Sequence, residues 1–107
     1  MTFRIAGPLA ALSLALMAAA PASAATIEVT IKQLVFSPAQ ISVKPGDTIE
    51  WVNKDFVAHT ATARDKSFDV QIPANGKGSL TVSKAGTFDY YCRFHPMMKG
   101  QLQVAAP

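Results

Sequence analysis

The sequence predicts an all-β fold, a sandwich of about seven to eight short strands. Three observations support this class: stretches in which apolar and polar residues alternate, turn residues at short intervals between them, and no apolar pattern of helical period. Short strands separated by frequent turns are typical of sandwiches with antiparallel or mixed sheets. A chain of 107 residues is long enough for one such domain.

The first half of the predicted sandwich follows from alternation and turn chemistry. Residues 26–32 alternate between apolar and polar side chains, which predicts a half-buried strand. Residues 34–43 continue in extended form, with an edge or a break at Pro38. A Pro-Gly turn at residues 45–46 then precedes a strand over residues 48–53.

The second half contains further strands and one strong turn signal. Residues 67–72 predict a strand or an ordered loop, and the Asn-Gly pair at residues 75–76 predicts a hairpin-type turn. Residues 79–82 predict a short strand, residues 87–92 a longer one and residues 101–104 the last. The positions of the longer strand that share one face are Phe88, Tyr90 and Cys92.

The first 24 residues predict a secretory signal peptide. A single early positive charge at Arg4 precedes an apolar region over residues 5–20, and the small residues 22–24 fit a cleavage site. An uncleaved membrane anchor is the alternative, but the apolar run is short, is interrupted early by a Gly-Pro pair and has no basic stop after it. We expect cleavage after Ala24, which leaves residues 25–107 as one domain in the periplasm.

Charge and cysteine content narrow the possible functions. The formal net charge is +3, and the basic residues are scattered without a stripe, so the chain lacks the electrostatic pattern of a nucleic-acid-binding protein. The only cysteine is Cys92, so an exported domain has no internal disulfide to explain it. Metal ligation explains an unpaired cysteine in an oxidising compartment.

The C-terminal run YYCRFHPMMKG, residues 90–100, carries the motif that supports metal ligation. Cys92, His95 and Met98 are each three residues apart in it, and the other histidine, His59, lies far upstream. A thiolate, two imidazoles and a weak thioether are the ligand set of a blue-copper electron-transfer site.

Each of these residues alone has a plainer interpretation as a buried core side chain. Together they match one coordination chemistry, and no histidine or cysteine of the chain is left over. Ligands so close in sequence converge only if the chain turns back, and Pro96 favours a turn. Met97 competes as the thioether, but the two-residue gap after His95 favours Met98.

The motif and the segment WVNKDFVAHTATA upstream of it resemble the cupredoxin family, and in particular its small amicyanin- and pseudoazurin-like periplasmic members. The resemblance covers nearly the whole of the mature chain, and the Cys-to-Met spacing is most similar to amicyanin. It implies a Greek-key sandwich that binds one type 1 copper ion. The implied ligands are His59, Cys92 and His95 as the strong ones and Met98 as the long axial one.

Two further positions are interpreted from the resemblance. Asn53 matches an asparagine that ties the loop before the first histidine to the cysteine loop, so we expect it to hold these segments in register; a surface-turn asparagine is the alternative. Arg93 and Phe94 depart from the amicyanin pattern, in which a small polar residue and a proline are common. This departure leaves open the hydrogen bonding at the thiolate and the reduction potential.

These features predict a carrier that shuttles single electrons between periplasmic redox partners and is not an enzyme. The resemblance implies partners such as a dehydrogenase or a c-type cytochrome. We expect the partner to dock near His95, whose neighbours Phe94, Pro96 and Met97 have the composition of an apolar surface patch.

The same residues are compatible with a small number of other functions. A copper-delivery protein without redox cycling is the main alternative, because Met97 and Met98 are suited to exchangeable copper. Multicopper chemistry requires more than the two histidines present, and a dinuclear copper site requires a second cysteine. A Cys-His nucleophile lacks an accompanying oxyanion motif. A metal-free interaction module predicts that Cys92→Ala lowers stability without removing a cofactor.

Overall fold

The computed structural model describes residues 23–107, so the predicted signal peptide lies almost entirely outside the described residues. Within this range the chain forms nine strands, and none of it forms an apolar helix of membrane-spanning length. The strands are β1 Thr26–Lys32, β2 Val35–Ser37, β3 Gln40–Val43, β4 Thr48–Asn53, β5 His59–Ala63, β6 Asp69–Ile72, β7 Lys77–Thr81, β8 Gly86–Cys92 and β9 His95–Val104.

The strands form two sheets that pack as a sandwich. One sheet has the order β2-β1-β4-β7 and the other the order β3-β9-β8-β5-β6. Two pairs, β1 with β4 and β3 with β9, are parallel, and the other pairs are antiparallel. The predicted β-sandwich is confirmed. The strand count exceeds the predicted seven to eight for two reasons: the extended stretch at residues 34–43 breaks at Pro38 into β2 and β3, and β5, which carries His59, was not predicted as a strand.

The alternating residues of the central strands build the core. Trp51 of β4 and Tyr90 of β8 are fully buried, their rings meet edge to face at 5.6 Å, and the indole Nε1–H donates to the phenol oxygen at 3.3 Å. Burial raises the pKa of Tyr90 to about 12. This contact joins the two sheets and fixes the inner face of β8, whose next inward residue is Cys92.

The prediction that residues 75–76 form the turn of a β-hairpin is wrong, because the two flanking strands do not pair. The turn itself is present, with Asn75 at φ 55° and the Gly76 amide donating to the Pro73 carbonyl at 2.9 Å. It joins β6 to β7, however, and these strands lie in different sheets. A local turn sequence determines where the chain reverses, whereas strand pairing depends on contacts with strands elsewhere in the chain.

The turn predicted at Pro96 is also displaced. The chain reverses at Arg93 and Phe94, and Cys92 pairs with His95 across this two-residue turn. Pro96 therefore lies within β9 and takes no part in the reversal. The short tight turn brings Cys92 and His95 directly opposite each other.

Candidate metal centre

Three side chains from two segments of the chain meet at one end of the sandwich. His59 is the first residue of β5, Cys92 the last of β8, and these strands are neighbours in the same sheet. The Cys92 Sγ lies 3.6 Å from Nδ1 of His59 and 3.9 Å from Nδ1 of His95. All three potential ligand atoms lie within 4.8 Å of one another. The structure thus brings together three of the four residues that the sequence predicts as ligands around one point.

An irregularity in the β8–β9 ladder places the fourth residue, Met98, in the same region. Tyr91 pairs with Lys99, but the next pair is Cys92 with His95, so residues 96–98 of β9 are extra on that strand. Such a bulge interrupts the alternation of side chains along the strand and changes the direction in which the neighbouring side chains point. Met98 is buried in the same core cluster as Cys92, whereas Met97 is 90% exposed.

The orientation of the buried His59 ring is fixed by a carboxylate that the sequence patterns did not reveal. The ring Nε2 lies 2.9 Å from Oδ2 of Asp55, so Nε2 carries the proton and donates it, while Nδ1 keeps its lone pair toward Cys92. Asp55 also accepts the backbone amides of Gln33 at 2.7 Å and Leu34 at 3.0 Å. Burial acts to raise the pKa of Asp55, but these hydrogen bonds together hold it below its ordinary value. In the sequence, the sign of this contact is an acidic residue four positions before the histidine.

A second residue that the motifs did not indicate, Thr60, joins the histidine segment to the cysteine loop. Its backbone amide donates to the Cys92 Sγ at 3.4 Å, and its Oγ1 accepts the backbone amide of Arg93 at 2.9 Å. Thr60 is fully buried. The role that the sequence predicted for Asn53 is therefore performed by the residue directly after His59.

Asn53 has a different set of partners from those expected. Its side chain is buried, as the strand phase predicted, and its amide donates to the carbonyls of Val57 at 2.9 Å and Pro73 at 3.1 Å. Its Oδ1 accepts the backbone amide of Asp55 at 2.9 Å. Asn53 thus shapes the loop that carries Asp55, and the expected bond to the cysteine loop is replaced by the Thr60 contacts.

Large exposed apolar side chains are concentrated at this end of the sandwich. Asp55 bonds tie the β1–β2 turn to the β4–β5 loop, and Thr60 ties the β5 segment to the β8–β9 turn, so these three connections lie at one end. Within residues 23–107, all the large apolar side chains that are exposed lie in or beside these connections. They are Leu34, Val35, Phe56, Val57, Phe94 and Met97. Monomeric domains rarely concentrate exposed apolar side chains in this way without a function in contact.

The donor atoms of the centre are suited to a metal cation of soft or borderline character. The thiol of Cys92 and the ring of His59 are fully buried, and His95 is half-buried at the surface. Sulfur and imidazole nitrogen donors with a nearby thioether favour copper over the hard cations, which prefer oxygen ligands. The donor set therefore fits a copper ion.

Comparison with known proteins agrees with this chemistry. The family model for the cupredoxin-like domain matches residues 6–104, and this chain belongs to the cupredoxin family. The chain is 30% identical to amicyanin of Paracoccus denitrificans over 81% of its own length and 71% of that protein. It is 31% identical to amicyanin-alpha of Methylorubrum extorquens, with coverages of 84% and 81%.

Solved structures give the same result. A reduced proline-to-phenylalanine variant of amicyanin superposes with a TM-score of 0.65 at 30% identity, over 75% of this chain and 82% of that one. Amicyanin from Paracoccus versutus superposes with a TM-score of 0.66 at 26% identity, with coverages of 82% and 87%. Family membership and the donor set identify copper as the cofactor of this chain.

We predict that Asp55→Ala weakens copper binding by about 10- to 100-fold, because the His59 ring loses the partner that fixes its orientation and raises its basicity. Competition with a chelator of known affinity measures the change. Asp65→Ala is the matched control, since that carboxylate accepts the nearby Ser67 amide beyond the opposite end of β5. Equal affinities of Asp55→Ala and the unmodified protein would contradict the assigned role.

Proposed function

We propose that this protein is a type 1 blue-copper carrier that shuttles single electrons between periplasmic redox partners. The observation that carries this proposal is the convergence of one thiol and two imidazole nitrogens within 4.8 Å at the ends of hydrogen-bonded strands. Such a donor set is suited to electron transfer. Membership of the cupredoxin family supports the same function.

In this proposal His59 and His95 would each present Nδ1 to the copper ion, Cys92 would present Sγ, and Met98 would add its thioether as a weak fourth ligand. Bound copper supplies the Cu(II)/Cu(I) couple. Cys92 binds as a thiolate, and both imidazoles bind in the neutral form. Asp55 accepts the hydrogen bond from Nε2–H of His59 and so selects the tautomer whose lone pair is on Nδ1, the nitrogen that faces Cys92.

The chain around the ligands holds them in place whether or not an electron is present. His59 is fixed by Asp55 at its outer nitrogen, and the Thr60 amide donates to the thiol sulfur. The Thr60–Cys92 contact is buried and the His59–Asp55 contact is partly buried, and densely packed side chains have little freedom to move. Ligands that move little between the two oxidation states keep the reorganisation cost of electron transfer low.

The half-buried His95 is the proposed port through which electrons enter and leave. It lies beside Phe94, Pro96 and Met97, and the exposed apolar side chains of the neighbouring connections extend this surface. A small apolar interface suits a brief, weak encounter with a redox protein. A periplasmic dehydrogenase and a c-type cytochrome are the proposed classes of partner.

We also propose that the protein is exported to the periplasm. We take residues 1–24 as a cleaved secretory signal and residues 25–107 as the mature copper-binding domain. A periplasmic location agrees with an unpaired cysteine, because metal ligation protects the thiol in an oxidising compartment.

The first test is titration of residues 25–107 with Cu(II). We expect an intense visible charge-transfer band and narrow copper hyperfine splitting in electron paramagnetic resonance, both bleached reversibly by a reductant. Cys92→Ser should abolish the band, and circular dichroism of the copper-free variant checks that the sandwich is intact. A colourless complex that binds mainly Cu(I) would instead favour copper delivery, for which the exposed Met97 provides a thioether.

The second test concerns the port. Met97→Glu should slow electron exchange with a c-type cytochrome by roughly tenfold, because a charge in the contact surface disfavours docking, while the visible spectrum stays almost unchanged. Stopped-flow spectroscopy measures the rate. Thr87→Glu makes the same change of charge on an exposed position at the far end of β8 and serves as control. Equal rates for both variants would place the port elsewhere.

A further inference from the structure

Four hydrogen bonds form a closed ring that connects the cysteine loop to β5 and β6. The Arg93 backbone amide donates to Thr60 Oγ1 at 2.9 Å, and the hydroxyls of Thr60 and Thr62 are 2.9 Å apart. The Thr62 hydroxyl donates to Asp69 Oδ1 at 2.7 Å, and the Nε of Arg93 donates to the same oxygen at 3.3 Å.

The donor and acceptor roles around the ring are determined. The Thr62 hydroxyl, opposed by burial and assisted by Arg93, holds the pKa of Asp69 below its ordinary value, so this carboxylate is an acceptor at neutral pH. Since Thr62 donates to Asp69, the Thr60 hydroxyl must donate to Thr62. Thr60 Oγ1 then accepts from the Arg93 amide, and each hydroxyl donates once and accepts once.

Most of the ring lies inside the protein. Thr60 is fully buried and Thr62 is 7% exposed, while the Arg93–Asp69 ion pair is solvent-exposed and by itself contributes little. Buried chains of aligned hydrogen bonds strengthen one another, and removing one hydroxyl leaves its neighbour with one of its two hydrogen bonds unmade. The ring therefore behaves as a unit.

The ring acts on the residues that adjoin two of the proposed ligands. Thr60 follows His59, Arg93 follows Cys92, and the backbone amide of Thr60 also donates to the Cys92 sulfur. Hydrogen bonding around the cysteine sulfur is one of the factors that set the reduction potential of a copper–thiolate centre. A loosened ring weakens the hold on the segment that carries this bond.

We propose that Asp69, Thr62 and Arg93 are positioning residues which, through Thr60, hold the cysteine loop against β5 and thereby set the reduction potential of the copper centre. This inference rests on the proposed function for its redox consequence. The structural part of it concerns the chain alone and is open to test without copper. It also gives a role to Arg93, at which the sequence departs from the amicyanin pattern.

The experiment measures two quantities in three variants. Thr62→Val keeps the shape of the side chain and interrupts the ring, Asp69→Ala removes its terminal acceptor, and Asp69→Asn removes the charge but keeps an acceptor oxygen. Hydrogen exchange of the Arg93 amide is followed by nuclear magnetic resonance in the copper-free protein, and the midpoint potential is measured in the copper-loaded one. Thr87→Val and Asp89→Asn, on exposed positions of β8, control for the hydroxyl and the charge.

We expect Arg93 amide exchange to accelerate by about tenfold in Thr62→Val and Asp69→Ala, the size of a cooperative buried hydrogen bond. We expect the midpoint potential to fall in Thr62→Val, so that the Cu(II)/Cu(I) ratio at the original midpoint rises by about threefold. Asp69→Asn should change the exchange rate less than Asp69→Ala. Both β8 control variants should match the unmodified protein.

Three results would overturn the proposal. One is unchanged Arg93 exchange in Thr62→Val and Asp69→Ala, and another is faster exchange with an unchanged potential in Thr62→Val. The third is an equal rise of potential in Asp69→Ala, Asp69→Asn and Asp89→Asn, because that is the signature of a removed negative charge alone. Absence of a blue copper centre in the unmodified protein would contradict the proposed function instead, and the exchange data distinguish that case.

Discussion

The geometry of the metal centre depends on where the backbone pairing between β5 and β8 ends. Their ladder pairs Ala63 with Tyr90 and Thr62 with Tyr91 and goes no further toward the centre. Beyond that point Thr60 provides the connection, with its amide on the Cys92 sulfur and its hydroxyl on the Arg93 amide. The two strands are thus kept together while the space between His59 and Cys92 stays free of backbone bonds, which is the space that the donor atoms face.

The two histidines differ in burial, and each environment suits a different task. His59 is fully buried and tied to Asp55, so its geometry is fixed by the interior. His95 sits after a two-residue turn, is half-buried and is surrounded by exposed apolar side chains such as Phe94 and Met97. One ring provides rigidity and the other provides access to the surface, and an electron carrier requires both properties.

Local sequence patterns predicted the features that depend on local chemistry. Alternation located β1 and β4, both with the bounds that the strands have in the fold. Residue types and their spacing were enough to single out the four proposed ligands, His59, Cys92, His95 and Met98.

The features that could not be predicted arise from contacts between distant segments. Asn53 bonds to Pro73, 20 positions away, instead of the cysteine loop, and the turn at residues 75–76 crosses between sheets. Thr60 acts across strands, on a residue 33 positions away. Spacing within one segment carries no information about such partners.

We infer that the folded chain holds the ligands in one geometry for both oxidation states. Extended X-ray absorption at the copper edge tests it most directly, applied to the oxidised and the reduced protein under the same conditions. We predict one sulfur and two nitrogen donors at short range in both states, with nearly unchanged metal–ligand distances. Loss of a nitrogen donor on reduction, or a shell made mainly of thioether sulfur, would contradict this claim.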